Sequence, residues 1–94
     1  MDKEIIFVGH SQEDIKEREI NVEFVKDVIK NPQQTAEGYG GRKVAQSRYY
    51  DEDKKKEILI RVVYKESEKA LLIITAYKTS KLKKYWRENE DQIR

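Results

Sequence analysis

The chain has 94 residues, of which 37% are hydrophobic and 40% charged, and its formal net charge is +2. This length accommodates a single domain over residues 1–94, and six Tyr, two Phe and one Trp argue against disorder. The chain has no Cys and one His, which excludes disulfides, thiol nucleophiles and Cys-based metal sites, so no metal and no cofactor are expected.

The N-terminus, MDKEIIFVGH, lacks the cleavage site of a signal peptide. No apolar run in the sequence approaches the roughly 20 residues that a membrane-spanning helix needs. A cytoplasmic location without membrane contact is therefore expected.

The N-terminal part is predicted to contain one strand and two helices. Residues 5–8 are apolar and typical of a short strand. Ser11 is expected to cap a first helix of about two turns, because Asp14 completes a capping-box-like pattern. Asn21 is expected to cap a second helix, whose apolar residues recur at helical spacing. Pro32 ends that helix, since the residue before a proline is pushed out of the helical region.

The C-terminal part is predicted to contain three strands and a last helix. The extended segments, joined by short polar turns, lie at residues 42–51, 58–65 and 70–77. Thr79 or Ser80 is expected to cap the last helix, which carries Leu82, Tyr85 and Trp86 towards the body. The order β-α-α-β-β-β-α predicts an α+β fold, with the N-terminal helices packed on an antiparallel β-meander and a C-terminal helix.

Side-chain alternation predicts which residues of the last two strands share a face. The face expected to receive the second helix carries Ile58, Ile60, Val62, Tyr64, Ala70, Leu72, Ile74 and Ala76. The opposite face is expected to carry Leu59, Arg61, Val63, Leu71, Ile73, Thr75 and Tyr77. The preceding strand is expected to pair Tyr49 with Ile60. That register adds Gln46 and Arg48 to the face of Arg61, and a slip of one residue would reverse it.

Arg61 has two interpretations, because an arginine among hydrophobic side chains needs a partner. In the first interpretation, Arg61 forms an internal ion pair with Glu57 or with a helix carboxylate. In the second, its planar guanidinium holds a ligand phosphate. Charge is unevenly distributed: residues 1–30 hold five basic and eight acidic side chains, whereas residues 42–87 hold fourteen basic and six acidic ones. This asymmetry favours a polyanionic partner, unless the lysine runs are only solvated faces.

His10 precedes the first helix, and histidine is the side-chain type that exchanges protons near neutral pH. A lone histidine is equally compatible with an incidental surface position. Arg18 likewise either contacts a ligand or pairs with Asp14, four residues earlier on the helix.

Several short motifs follow one another at a particular spacing. They are HSQEDIKEREI at 10–20, NP at 31–32, GRK at 41–43, LIRVV at 59–63, IITAY at 73–77 and KYW at 84–86. In this order, residues 7–86 resemble a small prokaryotic family that is catalogued as a domain of unknown function. That family looks like a relative of the RelE and BrnT toxins, within the fold shared by barnase, EndoU, colicin nucleases and RelE. The chain departs from the pattern at Asp14, where Arg is frequent, and at Glu19, where Gly is usual.

The resemblance implies a RelE-like domain that is a metal-independent endoribonuclease. In such an enzyme a base takes the proton of a ribose 2′-hydroxyl, an acid protonates the leaving 5′-oxygen, and cations stabilise the phosphate. The catalytic candidates are His10, Arg61, Thr75 and Tyr77. The candidates for RNA or phosphate binding are Arg18, Arg42, Lys43, Arg48 and Lys81. RNA is the expected partner, and the resemblance also implies an antitoxin-like protein partner.

Two other functions fit the same residues. The basic C-terminal half, with its interleaved aromatic residues, would bind RNA by stacking and phosphate contact without cleaving it. A degenerate toxin homologue would instead bind a protein partner in an apolar groove lined by Leu59, Val63, Leu71 and Ile73. The last helix would abolish that groove if it covered these residues as a second core.

Overall fold

The computed structural model describes residues 3–87, which form one five-stranded sheet with helices on one face and a short helix after the last strand. The strands are β1 (Glu4–Phe7), β2 (Gln34–Glu37), β3 (Lys43–Asp51), β4 (Lys56–Glu66) and β5 (Ala70–Thr79). The helices are α1 (Ser11–Glu17), α2 (Val22–Lys30) and α3 (Leu82–Tyr85), with a 3-10 turn at Tyr39–Gly41. The predicted α+β class is confirmed. Within the described range, every helix is too short or too polar to cross a bilayer.

The strand order β1-β5-β4-β3-β2 contains two features that the sequence pattern did not predict. β1 lies parallel to β5, with Ile5 opposite Leu71, whereas the other neighbours are antiparallel. β2 is an additional strand that pairs with β3, with Gln34 opposite Gln46. Its sequence, QTAE, has no apolar alternation, so its extended conformation depends on hydrogen bonds with β3 rather than on its own residues. The predicted meander is therefore extended by one strand on each side.

Helix α1 does not begin as predicted. His10 occupies the N-cap position and makes no side-chain cap hydrogen bond. Ser11 lies inside the first turn, and its buried Oγ is the one buried side-chain oxygen or nitrogen within residues 3–87 without a hydrogen-bond partner. The capping-box prediction was wrong, because the helix starts one residue earlier than the serine could cap.

The end of α1 forms a Schellman motif. Glu19 N–H donates to the Lys16 carbonyl at 2.9 Å, and Ile20 N–H donates to the Ile15 carbonyl at 3.1 Å. Glu19 adopts φ 62°, in the left-handed region that favours glycine. Both Ile15 and Ile20 are buried, which supplies the hydrophobic contact typical of the motif.

Helix α2 follows the sequence prediction closely. The Asn21 Oδ1 accepts from the N–H of Glu23 at 2.7 Å and of Phe24 at 3.2 Å, which confirms it as the N-cap. The helix ends at Lys30, directly before Asn31 and the proline. Its buried residues are Val25, Val28 and Ile29.

The main core lies between α1, α2 and one face of the sheet, which we call the helix side. Its sheet residues are Ala45, Ile60, Val62, Tyr64, Ile73 and Ala76. The other face, which we call the Arg61 face, carries Gln46, Arg48, Leu59, Arg61, Val63, Thr75 and Tyr77.

A β-bulge changes the predicted faces in the first half of β5. Val62 pairs with Ala76, but Tyr64 pairs with Ile73, so β5 contains one extra residue. Ile73 is therefore fully buried on the helix side and Leu71 packs against the same core, although both were predicted on the opposite face. Three β5 residues predicted on the helix side lie outside that core: Ala70, which is buried, and Leu72 and Ile74, which are half-buried. Val63, on the Arg61 face, is also half-buried. Uninterrupted alternation gave the wrong faces there, because one inserted residue reverses the parity of a strand.

Two further predictions are corrected by the coordinates. Tyr49 pairs with Ile58 rather than Ile60, and this difference of two residues leaves Gln46 and Arg48 on the predicted face. Helix α3 starts at Leu82 with no side-chain cap, so the prediction that Thr79 or Ser80 caps it was wrong. The Thr79 Oγ1 instead accepts from the Lys81 N–H at 3.1 Å in the preceding turn.

Candidate functional site

The centre of the Arg61 face is a row of three polar residues on adjacent strands. Arg61 on β4 lies opposite Gln46 on β3 and Tyr77 on β5. Its Nε donates to the Gln46 Oε1 at 2.9 Å, and its Nη1 donates to the Tyr77 hydroxyl at 2.6 Å. The guanidinium carbon lies 4.0 Å from the ring centroid of Tyr85. We call Gln46, Arg61, Tyr77 and Tyr85 the Arg61 cluster.

No carboxylate among the described residues neutralises the positive charge of Arg61. Among residues 3–87, no carboxylate lies within ion-pair distance of its guanidinium, and Glu57 pairs with Arg48 instead. Its neutral partners engage two of the five N–H groups of the fork. Nη2 has no hydrogen-bond partner and is not buried, since Ser11 Oγ is the one buried unpartnered side-chain atom in the described range. Arg61 therefore keeps its charge and the two N–H groups of Nη2 for a ligand.

A second guanidinium reaches the same face from the end of α1. The Arg18 Nη1 donates to the Thr75 Oγ1 at 3.0 Å and to the Ala76 carbonyl at 2.8 Å. β1 pairs with β5 only as far as Ile73, so at Thr75 and Ala76 the edge of β5 that faces away from β4 has no neighbouring strand. The Arg18 guanidinium occupies this edge. Thr75 and Tyr77 share a face, about 7 Å apart along the strand. The fold thus places Arg18 at Thr75 and Arg61 at Tyr77, two residues apart on one face of β5.

The segment after β5 adds aromatic rings and further cations. The rings of Tyr77 and Tyr85 meet edge to face, with centroids 6.4 Å apart. The Lys84 Nζ lies 5.2 Å from the Tyr85 ring, and the Arg48 guanidinium lies 5.0 Å from the Trp86 ring. The segment after β5 therefore lies over this face through contacts of Tyr85 with Arg61 and Tyr77, and of Trp86 with Arg48. Neither the second core nor the apolar groove forms as predicted, because two of the four residues expected to line it, Leu71 and Ile73, belong to the helix-side core or pack against it.

The electrostatic surroundings favour ionisation of the Tyr85 phenol. Burial, the largest influence, acts to raise the pKa of Tyr85, but it is outweighed by the hydrogen bond and charge of Lys84, by the Tyr77 hydroxyl and by the charge of Arg61. The pKa of Tyr85 consequently lies below its ordinary value. A larger fraction of this side chain is therefore phenolate at neutral pH than in an ordinary tyrosine, and the phenolate is the form that can accept a proton.

Several predicted site residues lie away from this cluster. The His10 side chain is 91% exposed, and its nearest charged partner is Glu13, with the His10 Nδ1 and Glu13 Oε1 4.0 Å apart. Arg42 precedes β3, about 13 Å along the strand direction from Gln46, and is exposed. Lys81 is exposed in the turn before α3. Of the predicted set, the fold brings together Arg61 with Tyr77 and Arg18 with Thr75, and it places Arg48 nearby.

Lys43 serves a different purpose on the helix side. It lies opposite Tyr64, and its Nζ donates to the Glu66 Oε1 at 3.0 Å, while the Lys3 Nζ donates to the Glu66 Oε2 at 2.7 Å. The hydrogen bonds with these two lysines lower the pKa of Glu66 to about 2. Lys43 is therefore part of an ion triad that ties β1 to β3 and β4.

Sequence reasoning did not assign a role to three residues of this face. Gln46 was placed there by alternation, but nothing in a lone glutamine indicated that it holds an arginine. Lys84 was seen only as part of a terminal helix motif, and Tyr85 as one of several aromatic residues able to stack on RNA or pack towards the body, but not as a partner of Arg61. The aromatic and basic composition of residues 81–87 was the signal that could have indicated their part in this face. It could not predict the stacking of Tyr85 on Arg61, because that contact depends on the bend at Ser80, which brings the segment back over the sheet.

A separate open cleft of about 560 Å³ lies on the helix side. Its lining is acidic and aromatic, formed by Glu19, Ile20, Asn21, Glu23, Phe24, Asp27, Tyr49, Tyr50, Asp51, Glu52 and Lys78. No group of three or more His, Cys, Asp or Glu residues in the described part of the chain is arranged to hold a metal ion. The cleft has the wrong charge for a phosphate, so the basic chemistry of the domain lies on the other face.

Comparison with known proteins identifies the family. No curated protein and no solved structure gives a significant match to the chain. One family model, described as a domain of unknown function (DUF4258), matches residues 7–78. The matched region includes Gln46, Arg61 and Tyr77 but ends before Tyr85. Since the match covers most of the sequence, this chain belongs to the DUF4258 family.

Proposed function

We propose that this domain is a metal-independent endoribonuclease and that the Arg61 cluster binds the scissile phosphate. The observation that carries the proposal is the Arg61 guanidinium, which has neutral hydrogen-bond partners, no carboxylate partner within residues 3–87 and two unengaged N–H groups on Nη2. A half-buried cation without a counterion favours an anionic ligand, and a planar fork suits phosphate oxygens.

The reaction requires one base and one acid on either side of the phosphorus. A base removes the proton of the 2′-hydroxyl, the 2′-oxygen bonds to phosphorus, and the bond to the 5′-oxygen breaks as an acid protonates it. The products are a 2′,3′-cyclic phosphate and a 5′-hydroxyl. Tyr85, with its lowered pKa, is the proposed base, and Tyr77 is the proposed acid. Arg61 and Arg18 stabilise the charge that develops on the phosphate.

His10 has a smaller part in this proposal than the sequence suggested. Its imidazole is exposed beside Glu13, with no contact to the Arg61 cluster in the described residues. A role for His10 would require the bound RNA itself to span the distance. The family's likeness to the RelE and BrnT toxins is consistent with metal-independent RNA cleavage. It also implies an antitoxin-like partner, for which the half-buried Val63, Leu72 and Ile74 offer apolar surface.

The test is cleavage of end-labelled single-stranded RNA in the presence of EDTA. We expect wild-type protein to produce fragments with cyclic phosphate ends, and Arg61→Gln to lower the rate by about 10²–10³-fold, as removal of a charge-stabilising donor does. Lys78→Gln removes one positive charge from the opposite side of β5 and should retain the activity. Intact RNA at micromolar wild-type protein would refute the proposed reaction.

A second candidate is a non-catalytic RNA-binding module, which the exposed position of His10 and the arginine-stacked rings of Tyr85 and Trp86 favour. Tyr85→Phe separates the two, because it keeps the ring over Arg61 but removes the phenolic oxygen. A nuclease would lose turnover and still bind RNA, whereas a binding module would behave as wild type. In either case the affinity should fall as salt rises, and a log–log slope near zero would exclude nucleic acid as the ligand.

A further inference from the structure

Two glutamines lie in the interior between the sheet and the chain that follows α3. Gln46 is fully buried and Gln34, opposite it on β2, is 9% exposed. Buried amides are costly unless their donors and acceptors are satisfied. These two are satisfied by each other, by Arg61 and by the backbone of residues 85–87.

The orientation of both amides follows from Arg61. A guanidinium can only donate, so the Gln46 Oε1 must face the Arg61 Nε. The Gln46 Nε2 is then directed away from Arg61, and it donates to the Gln34 Oε1 at 2.8 Å and to the Tyr85 carbonyl at 3.1 Å. Reversal of the Gln46 amide would place a donor against Arg61 and break all three contacts.

The second amide, that of Gln34, extends this chain of hydrogen bonds to the backbone of the C-terminal segment. The Gln34 Oε1 also accepts from the Arg87 N–H at 3.2 Å, and the Gln34 Nε2 donates to the Arg87 carbonyl at 2.7 Å. The side chain of Gln34 therefore engages the backbone of Arg87 as a neighbouring strand would. Arg87 in turn donates from its Nη2 to the Thr35 carbonyl, which fixes the segment against β2.

We propose that Gln34 and Gln46 are positioning residues that couple the docking of the C-terminal segment, residues 81–87, to the orientation of the Arg61 guanidinium. When the segment is docked, the Tyr85 ring covers one face of the guanidinium while Gln46 and Tyr77 hold two of its N–H groups in plane. When it is released, Gln46 loses the Tyr85 carbonyl, one of its two acceptors, and Gln34 loses the Arg87 backbone. Arg61 also loses its stacking partner, so the phosphate site is no longer preorganised. Docking thus regulates the site, and this inference rests on the proposed function for its ligand.

The Gln34–Gln46 pair differs from an ordinary buried contact because its hydrogen bonds fix which end of each amide faces which partner. Two apolar residues would attach the segment to the sheet equally well, because hydrophobic replacements of buried polar groups are often neutral for stability. Apolar residues would not hold the Arg61 guanidinium in one orientation, because they offer no acceptor to its Nε. Each amide here has its oxygen and nitrogen assigned by the next member of the chain of hydrogen bonds, so a change at Gln34 reaches Arg61 through Gln46.

The chain offers a matched pair of glutamines for the experiment. Gln34→Ala removes the contacts with Gln46 and with the Arg87 backbone, although Gln34 touches neither Arg61 nor the proposed ligand. Gln33→Ala is the control. The Gln33 Nε2 donates to the Arg48 carbonyl at 3.4 Å and its Oε1 accepts from the Arg48 N–H at 3.2 Å, so Gln33 also bonds to β3, the strand of Gln46. Its side chain has no hydrogen bond with the Arg61 cluster among the described residues. The affinity for inorganic phosphate and for single-stranded RNA is measured together with Trp86 emission and with the titration of Tyr85.

We expect Gln34→Ala to weaken RNA and phosphate affinity about tenfold, the loss typical of one charged hydrogen bond misplaced. Trp86 emission should shift to the red, and the Tyr85 titration should move towards higher pH as the phenol leaves Arg61. Gln33→Ala should resemble wild type in all four measurements. Gln34→Glu keeps the acceptor for Gln46 and Arg87 N–H, so it should fall between the two and serves if the alanine variant does not fold.

Equal behaviour of the Gln34 and Gln33 variants, or a red shift of Trp86 without any change in affinity, would overturn the coupling. The two proposals fail separately. If wild-type protein binds neither RNA nor phosphate, the proposed function fails, while Trp86 emission and Tyr85 titration in the ligand-free variants still decide whether Gln34 acts on Arg61 and Tyr85. A normal Tyr85 titration in Gln34→Ala would then refute the coupling on its own.

Discussion

The two faces of this sheet carry the same residue types in opposite electrostatic settings. On the helix side, Tyr49 lines the acidic cleft, and burial together with Asp51 raises its pKa. On the other face, Lys84, Tyr77 and Arg61 outweigh the effect of burial and lower the pKa of Tyr85. The two tyrosines lie on opposite faces of the sheet, so only the thickness of one sheet separates the two environments. Composition therefore says little about chemistry here until each side chain is assigned to a face.

Packing differs between the faces as much as charge. The helix side holds the main cluster of fully buried aliphatic residues, contributed by α1, α2 and the sheet. The Arg61 face also buries Leu59, but Val63 beside it stays half-buried and the centre of the face is polar. The helix side stabilises the fold, whereas the Arg61 face keeps half-buried polar side chains, Arg61 and Tyr77, beside the segment that lies over it.

The largest expected effect tests this difference in packing. Ile60→Ala removes a fully buried side chain on the helix side, and we expect it to lower the free energy of unfolding by about 2–5 kcal/mol. Val63→Ala, three residues further along β4 and on the other face, should cost about 1 kcal/mol because its side chain is only half-buried. Urea denaturation of the two variants measures both values, and equal losses would contradict the assignment of the main core.

The next effect concerns the two tyrosines. In an ultraviolet titration of tyrosinate absorbance, Tyr85 should ionise below the ordinary range for tyrosine and Tyr49 above it. Tyr85→Phe should remove the early part of the curve. Tyr49→Phe should reduce the late part without abolishing it, because burial also raises the pKa of Tyr64. Arg61→Gln should move the early part to higher pH, since it removes one of the positive charges. An unchanged early part in Tyr85→Phe would show that the basic face does not act on this phenol.

A smaller effect is expected at the edge of the acidic cleft. Glu19→Gly should increase stability by about 0.5–1 kcal/mol, because glycine adopts the left-handed conformation of φ 62° without a steric penalty. Glu17→Gly, two residues earlier in α1, should instead cost about 1 kcal/mol, since glycine disfavours a helix. Thermal unfolding of the two variants should therefore shift in opposite directions, and a loss of stability in both would argue against strain at Glu19.

The smallest effect is the pH dependence of the ion triad on the helix side. The folded pKa of Glu66, about 2, lies below its ordinary value of 4.5. The triad therefore contributes stability above pH 4.5, and this contribution is lost as the pH falls towards 2. The difference in urea midpoint between wild type and Glu66→Gln should be largest at neutral pH and should vanish in acid. Glu68→Gln, an exposed carboxylate outside the triad, should show no such narrowing.

Local patterns predicted part of the site correctly and part of it incorrectly. Alternation alone grouped Arg61 with Thr75 and Tyr77 on one face, and it added Gln46 despite a pairing register that was wrong by two residues. It failed for residues 71–74, where the bulge inserts one residue. Ranking of His10 as catalytic rested on its residue type and the resemblance. The fold leaves it exposed beside Glu13.

The sequence by itself determined the helix boundaries at Asn21 and Pro32, the three long strands and the face of Arg61, because caps, proline sterics and strand alternation act over a few neighbouring residues. Only the tertiary structure decided the parallel pairing of β1 with β5, the formation of β2 and the stacking of Tyr85 on Arg61. These contacts join residues far apart in the chain. Their energy depends on hydrogen bonds and packing that exist only after the strands have assembled.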